Sequence, residues 1–127
     1  MISEPLGFVD ARTAVERLSD AQLQAYNHAD IDAFCDCYHA DIEVLDASGN
    51  RTLSGIAAFR ARYAAMFDAH KDVHARIDAR LQLGAHVVER EQWSRTHKQS
   101  GARSEGQVLV RYTEQDGKIR YAQFLAE

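Results

Sequence analysis

Residues 56–83 read "IAAFRARYAAMFDAHKDVHARIDARLQL", and their hydrophobic period changes partway along. Up to His70, the residues Phe59, Tyr63, Met66 and Phe67 recur at spacings of three and four, with Arg60 and Arg62 left to reach solvent. That spacing predicts a helix over 56–70. From Val73 the period falls to two, which predicts a strand. Three more alternating stretches follow, 86–96, 104–113 and 119–125. They are separated by Gly84-Ala85, a Gln99-Ser100-Gly101-Ala102 loop and Gln115-Asp116-Gly117.

Upstream the chain is mostly helical. Val15, Leu18, Gln22 and Ala25 form one stripe, Gln22 being its polar member, within a helix over 10–28 that is either continuous or broken near Ser19-Asp20. Asp10 or Thr13 can cap its start. Asp30 is placed to cap a second, short helix running through Phe34 to Cys37-Tyr38. Ile42–Leu45 and Arg51–Ser54 read as short strands around an Ala47-Ser48-Gly49-Asn50 turn, and Gly55 precedes the 56–70 helix. A helical half followed by four long strands is α+β grammar. The expected fold is a curved antiparallel sheet, twisted enough to wrap the amino-terminal helices into a cone with an internal pocket.

Composition narrows the function classes. The 127 residues suit one domain spanning 1–127. Hydrophobic residues make up 46%, enough for a core, while 15 Lys+Arg against 19 Asp+Glu give a dispersed net charge of −4. No basic stripe offers itself to nucleic acid, and no apolar run approaches the roughly 18 residues of a membrane helix. The start, MISEPLGFVDARTAV, lacks the basic and apolar segments of a secretory leader, so a cytoplasmic location is expected. Cys35 and Cys37 would point about 200° apart on a helix, which suits small buried hydrophobes better than a metal pair or a disulfide.

Several residues could carry chemistry. Asp46 ends the apolar run Glu43-Val44-Leu45, so it either starts the turn that follows or points into a pocket and moves protons there. Glu89, Glu91 and Trp93 share one strand face. Facing inward, Glu91 would be a pocket acid and Trp93 a wall; facing outward, the acids would be surface groups opposite Arg111. The reading leans outward for the acids and leaves Trp93 open. His70 and His74 have the i, i+4 spacing of zinc-binding helices, but the helix is expected to end near His70, so no metal site is expected. His97-Lys98 reads as surface. Ser94, Ser100 and Ser104 have no arranged His/Asp partner that would support a serine nucleophile.

The stretch "YNHADIDAFCDCYHADIEVLDASGNRTLSGIAAFRARYAAMF", with "RLQLGAHVVERE" and "DGKIRYAQFL", resembles the nuclear transport factor 2-like superfamily. The likeness is to its ketosteroid-isomerase and polyketide-cyclase (SnoaL-like) branch. It is carried by Asn27 to Asp30, by Asp46 at a strand end, and by Ser54-Gly55 before a long helix. The resemblance implies that Asp46 occupies the position of the general base that moves a proton beside a carbonyl. It implies that Tyr63 and Tyr38 are aromatics of the same site. The enolate-holding tyrosine of those enzymes corresponds to Gln22, and their second donor, a protonated aspartic acid, corresponds to Val108. Both donor positions are therefore changed; a Gln22 amide, the Tyr63 hydroxyl or the Trp93 indole would have to donate instead.

Two functions follow as expectations. One is a cofactor-free isomerase or cyclase using Asp46 as base on a small hydrophobic or carbonyl-containing molecule, with Tyr38, Tyr63, Gln22, Trp93 and Val108 around it. The other is a non-catalytic ligand-binding or assembly domain that pairs as a homodimer through its open sheet face. Epoxide-opening hydrolysis is a further chemistry that related cones support.

Overall fold

The computed structural model describes residues 10–127. The leader-free reading of the amino terminus rests largely on residues 1–9 and lies outside that range. Helix α1 spans Ala14–Asn27 and opens with a reciprocal cap. Thr13 Oγ1 accepts from the Glu16 N–H at 3.3 Å, and the Glu16 carboxylate accepts from the Thr13 N–H at 2.9 Å. Thr13 rather than Asp10 is thus the cap, and Asp10 instead binds Arg12. Asp30 caps α2 (Ile31–Asp36) through a 3.1 Å bond from the Ala33 N–H. That helix stops earlier than expected, because Tyr38 already belongs to strand β1 (Tyr38–Leu45).

Strand β2 (Arg51–Ser54) returns against β1, and the chain then enters α3 (Ile56–Ala69) through Gly55. The Gly55 N–H bonds the Ile42 carbonyl at 2.8 Å while its φ is 88°. A side chain would strain that left-handed conformation, hence the Ser-Gly step. With α3 ending at Ala69, His70 and His74 both lie in β3 (His70–Leu83), where i, i+4 groups no longer stand above one another.

Strands β3, β4 (His86–His97), β5 (Arg103–Gln115) and β6 (Lys118–Ala126) form successive hairpins in a curved, unclosed six-stranded sheet of order β2-β1-β6-β5-β4-β3. The curved sheet is antiparallel as expected except at one pair: β1 and β6 run parallel, with Tyr38 beside Ile119 and Val44 beside Ala122. They are the first and last strands. Three reversals fix the direction of β6, and no hairpin ties it to β1. The β3 register also shifts between Ile77 and Ala79. That irregularity changes which side chains turn inward. Before it Val73 and Ala75 are buried; after it Arg80 reaches the buried Glu89.

The concave side of the sheet packs on α1–α3 through an aromatic cluster. Phe34 and Phe59, each 1% exposed, stack at 5.6 Å, and Tyr38 and Tyr63 pack on them at 4.3–4.8 Å. Two polar devices fix α1 to the sheet. Asn27 pairs with the backbone of Ala75 on edge strand β3, donating to its carbonyl at 2.9 Å and accepting from its N–H at 2.7 Å. Glu89, 1% exposed, accepts from Ser19 Oγ and from Arg80 Nε, each at 2.6 Å, and Arg80 also binds Asp20 at 2.6 Å. Burial pushes the Glu89 carboxyl up, only partly offset by these bonds. Asp20 is also pushed up by burial, but its bonds from Arg80 and Arg12 outweigh this and hold it low. Among the described residues no helix is long and apolar enough to cross a membrane.

Candidate functional site

Between the helices and the concave sheet face lies a cavity of about 290 Å³. Helix α1 contributes Gln22 and Tyr26, and α3 contributes Tyr63, Met66 and Arg62. Strand β4 contributes Glu91, Trp93 and Arg95; Val108, Tyr112 and Phe124 come from β5 and β6. The structure thus places Gln22, Tyr38, Tyr63, Trp93 and Val108 in one wall.

Asp46 is not in that wall. Its Oδ1 accepts from the N–H groups of Ser48 and Asn50, both at 2.9 Å, and its own N–H donates to the Asn50 carbonyl. The carboxylate closes its own turn, the first of the two roles open to it in the sequence. The expected position of the base is therefore corrected: a turn follows β1 at once, and its free N–H groups capture the nearest acid.

The outward reading of the β4 acids is corrected as well. Glu89, Glu91, Trp93 and Arg95 alternate with exposed or outward positions, and all four face the helices. Arg111 is not their partner, since it stands beside Val88 in the ladder while Glu89 stands beside Val110. Alternation groups these side chains on one face without saying which face packs on the helices. Val87, buried and in phase with them, was the signal that could have decided it.

Glu91 is the unusual group. Burial, with a smaller contribution from the neighbouring Glu89 charge, pushes its carboxyl up to about 7 from 4.5. No arginine or lysine offsets this. Four tyrosines, Tyr26, Tyr38, Tyr63 and Tyr112, are raised first by burial and further by the Glu91 charge, so each keeps its proton near neutral pH. Tyr38 donates to Gln22 Oε1 at 3.0 Å, which orients the Gln22 amide. The Gln22 NH₂ and the Tyr63 hydroxyl make no hydrogen bond within the described residues, and both line the cavity. Trp93 lies flat across β5, where Gly106 stands beside it; a Cβ at that position would meet the indole at 2.9 Å. No group of three or more potential metal ligands gathers among the described residues.

The model of the SnoaL-like domain matches residues 19–122. The chain belongs to the SnoaL-like domain family, within the nuclear transport factor 2-like superfamily. Solved structures share this fold. A cystatin-fold protein from Novosphingobium aromaticivorans is 24% identical with a TM-score of 0.78, covering 90% of this chain and 98% of that one. An LEH-like epoxide hydrolase from Mycobacterium tuberculosis is 17% identical with a TM-score of 0.77, covering 90% and 83%. A protein of ketosteroid-isomerase-like fold from Catenulispora acidiphila, solved with trimethylamine, is 18% identical with a TM-score of 0.71, covering 84% and 82%. At such identities the likeness is one of fold. No curated protein matches the chain at a significant level.

Proposed function

We propose that this SnoaL-like domain is a cofactor-free acid–base enzyme acting on a small carbonyl compound, with Glu91 as its proton-transferring group. The observation that carries this reading is the Glu91 carboxyl. It stands unpaired in the cavity wall with its pKa pushed up to about 7, surrounded by hydroxyls that stay protonated. A carboxylate of that basicity is suited to removing a proton from carbon beside a carbonyl near neutral pH. The electron pair left behind moves onto the carbonyl oxygen. The Gln22 amide and the Tyr63 hydroxyl, which make no hydrogen bond among the described residues, are the donors available to that oxygen. Returning the proton to another carbon gives an isomerase; attack of the enolate on a second carbonyl gives a cyclase.

The test is α-proton exchange into deuterated water for a panel of small β-keto compounds, followed by NMR. Wild type should exchange at least one of them. Glu91→Gln should lose about 10²–10⁴-fold, while Asp46→Asn should exchange at the wild-type rate. The wild-type rate should rise with pH through about 7 and then level, because only ionised Glu91 accepts a proton. Equal rates in wild type and Glu91→Gln would refute the assignment.

A further inference from the structure

The proposal above leaves two cavity-facing arginines without a role. Neither Arg62 nor Arg95 takes part in an ion pair among the described residues, whereas the other strand arginines do, Arg111 on β5 excepted, and Arg111 does not line the cavity. Arg62 is exposed and stands at the rim. Arg95 is more confined: its Nε is buried and has no hydrogen-bond partner. Its guanidinium folds over Trp93, 4.9 Å from the ring centroid, which holds the planar fork against one wall.

Several neighbours could have neutralised it. Glu91 lies on the same strand face but four residues away, about 13 Å along the strand, and its pKa owes nothing to Arg95. Tyr26 is near enough for Arg95 to draw its hydroxyl down slightly against the larger effect of burial, yet a tyrosine kept protonated supplies no charge. Glu127 lines the cavity without pairing with either arginine. A buried guanidinium N–H with no acceptor is costly in a folded protein. The cost is removed if a ligand brings the acceptor.

We infer that the cavity recognises a carboxylic acid, its carboxylate held by the Arg95 fork with Arg62 adding charge at the rim, and its apolar body lying along Trp93 toward Glu91. This deepens the proposed function and rests on it for the reacting end of the molecule. The anion site itself depends only on Arg95 and the cavity. A guanidinium fork suits a planar carboxylate, which it can meet through two parallel bonds. A cavity of about 290 Å³ is at the small end of small-molecule sites, so a compact aryl or alkyl acid fits the space better than a large polycycle.

Isothermal calorimetry with phenylacetate, phenylpropanoate and phenylbutanoate, each against its neutral amide, tests the inference without requiring turnover. For at least one chain length wild type should bind the acid at least about tenfold more tightly than the amide. Arg95→Met should abolish that preference while leaving amide binding in place, and Arg95→Lys should restore part of it. Arg103→Met removes the same charge from an exposed site outside the cavity and should leave the preference intact. Glu91→Gln should also keep it. An acid preference in a wild-type protein that exchanges none of the β-keto compounds would therefore refute the proposed enzyme and support the anion site. Equal affinity for acid and amide, a preference that survives Arg95→Met, or no binding of any pair by wild type would overturn the inference.

Discussion

Glu91 sets the residue scale because its environment opposes its charge. The folded protein holds the Glu91 proton more tightly than the unfolded chain does, so stability falls as pH rises between about 4.5 and about 7, and levels above that. The full effect is on the order of 3 kcal/mol. Urea unfolding of wild type and Glu91→Gln across that range should show the gap opening in favour of the variant as pH rises. Parallel stability profiles would contradict the burial of this carboxyl. The sequence carried the residue types of this site but not their orientation. Gln22 is legible as the polar member of a helical stripe, Tyr38, Tyr63 and Val108 reach the wall through the family resemblance, and Trp93 joins it from a strand face that alternation alone left open. Asp46 fell out of it because a turn's demand for an acceptor depends on where the strand stops. Arg95 was missed although it shares the phase of Glu91 and Trp93, since an unpaired arginine is visible only once every possible partner has been placed.

At the scale of elements, the contact between α1 and β3 is the instructive one. β3 is an edge strand with an irregular register, and the Asn27 amide substitutes for a missing neighbour by bonding both the N–H and the carbonyl of Ala75. Asn27→Ala should cost about 1–3 kcal/mol, because it strands two backbone groups. Hydrogen exchange should show the loss of protection concentrated at the Ala75 amide. Helices and strands were legible from period alone, and the change of period after His70 placed the α-to-β transition within a few residues. The bulge near Asp78 was not legible, since one extra residue leaves the alternation on either side intact while exchanging the faces. The parallel pairing of β1 with β6 was equally hidden, being a property of the whole sheet's order and not of either strand.

For the whole molecule, the helical layer and the sheet are joined across their interface by a charged cluster beside an aromatic one. Arg80 bridges Asp20 on α1 and Glu89 on β4, and Glu89 is almost completely enclosed. Removing the arginine alone leaves a buried carboxylate uncompensated, so Arg80→Met should destabilise by about 3–5 kcal/mol. Arg80→Met combined with Glu89→Gln should recover much of that loss, because the charge that needed compensation is then gone. A double-mutant cycle by chemical denaturation checks this, and purely additive costs would argue against the coupling. Beside this cluster, the sole indole of the chain lies across Gly106 in the wall between Glu91 and Arg95. The protein therefore carries a built-in optical reporter at the place of interest. Light emitted by that one ring depends on how wet and how crowded its surroundings are, so whatever enters the hollow announces itself without a dye, a label or an engineered probe.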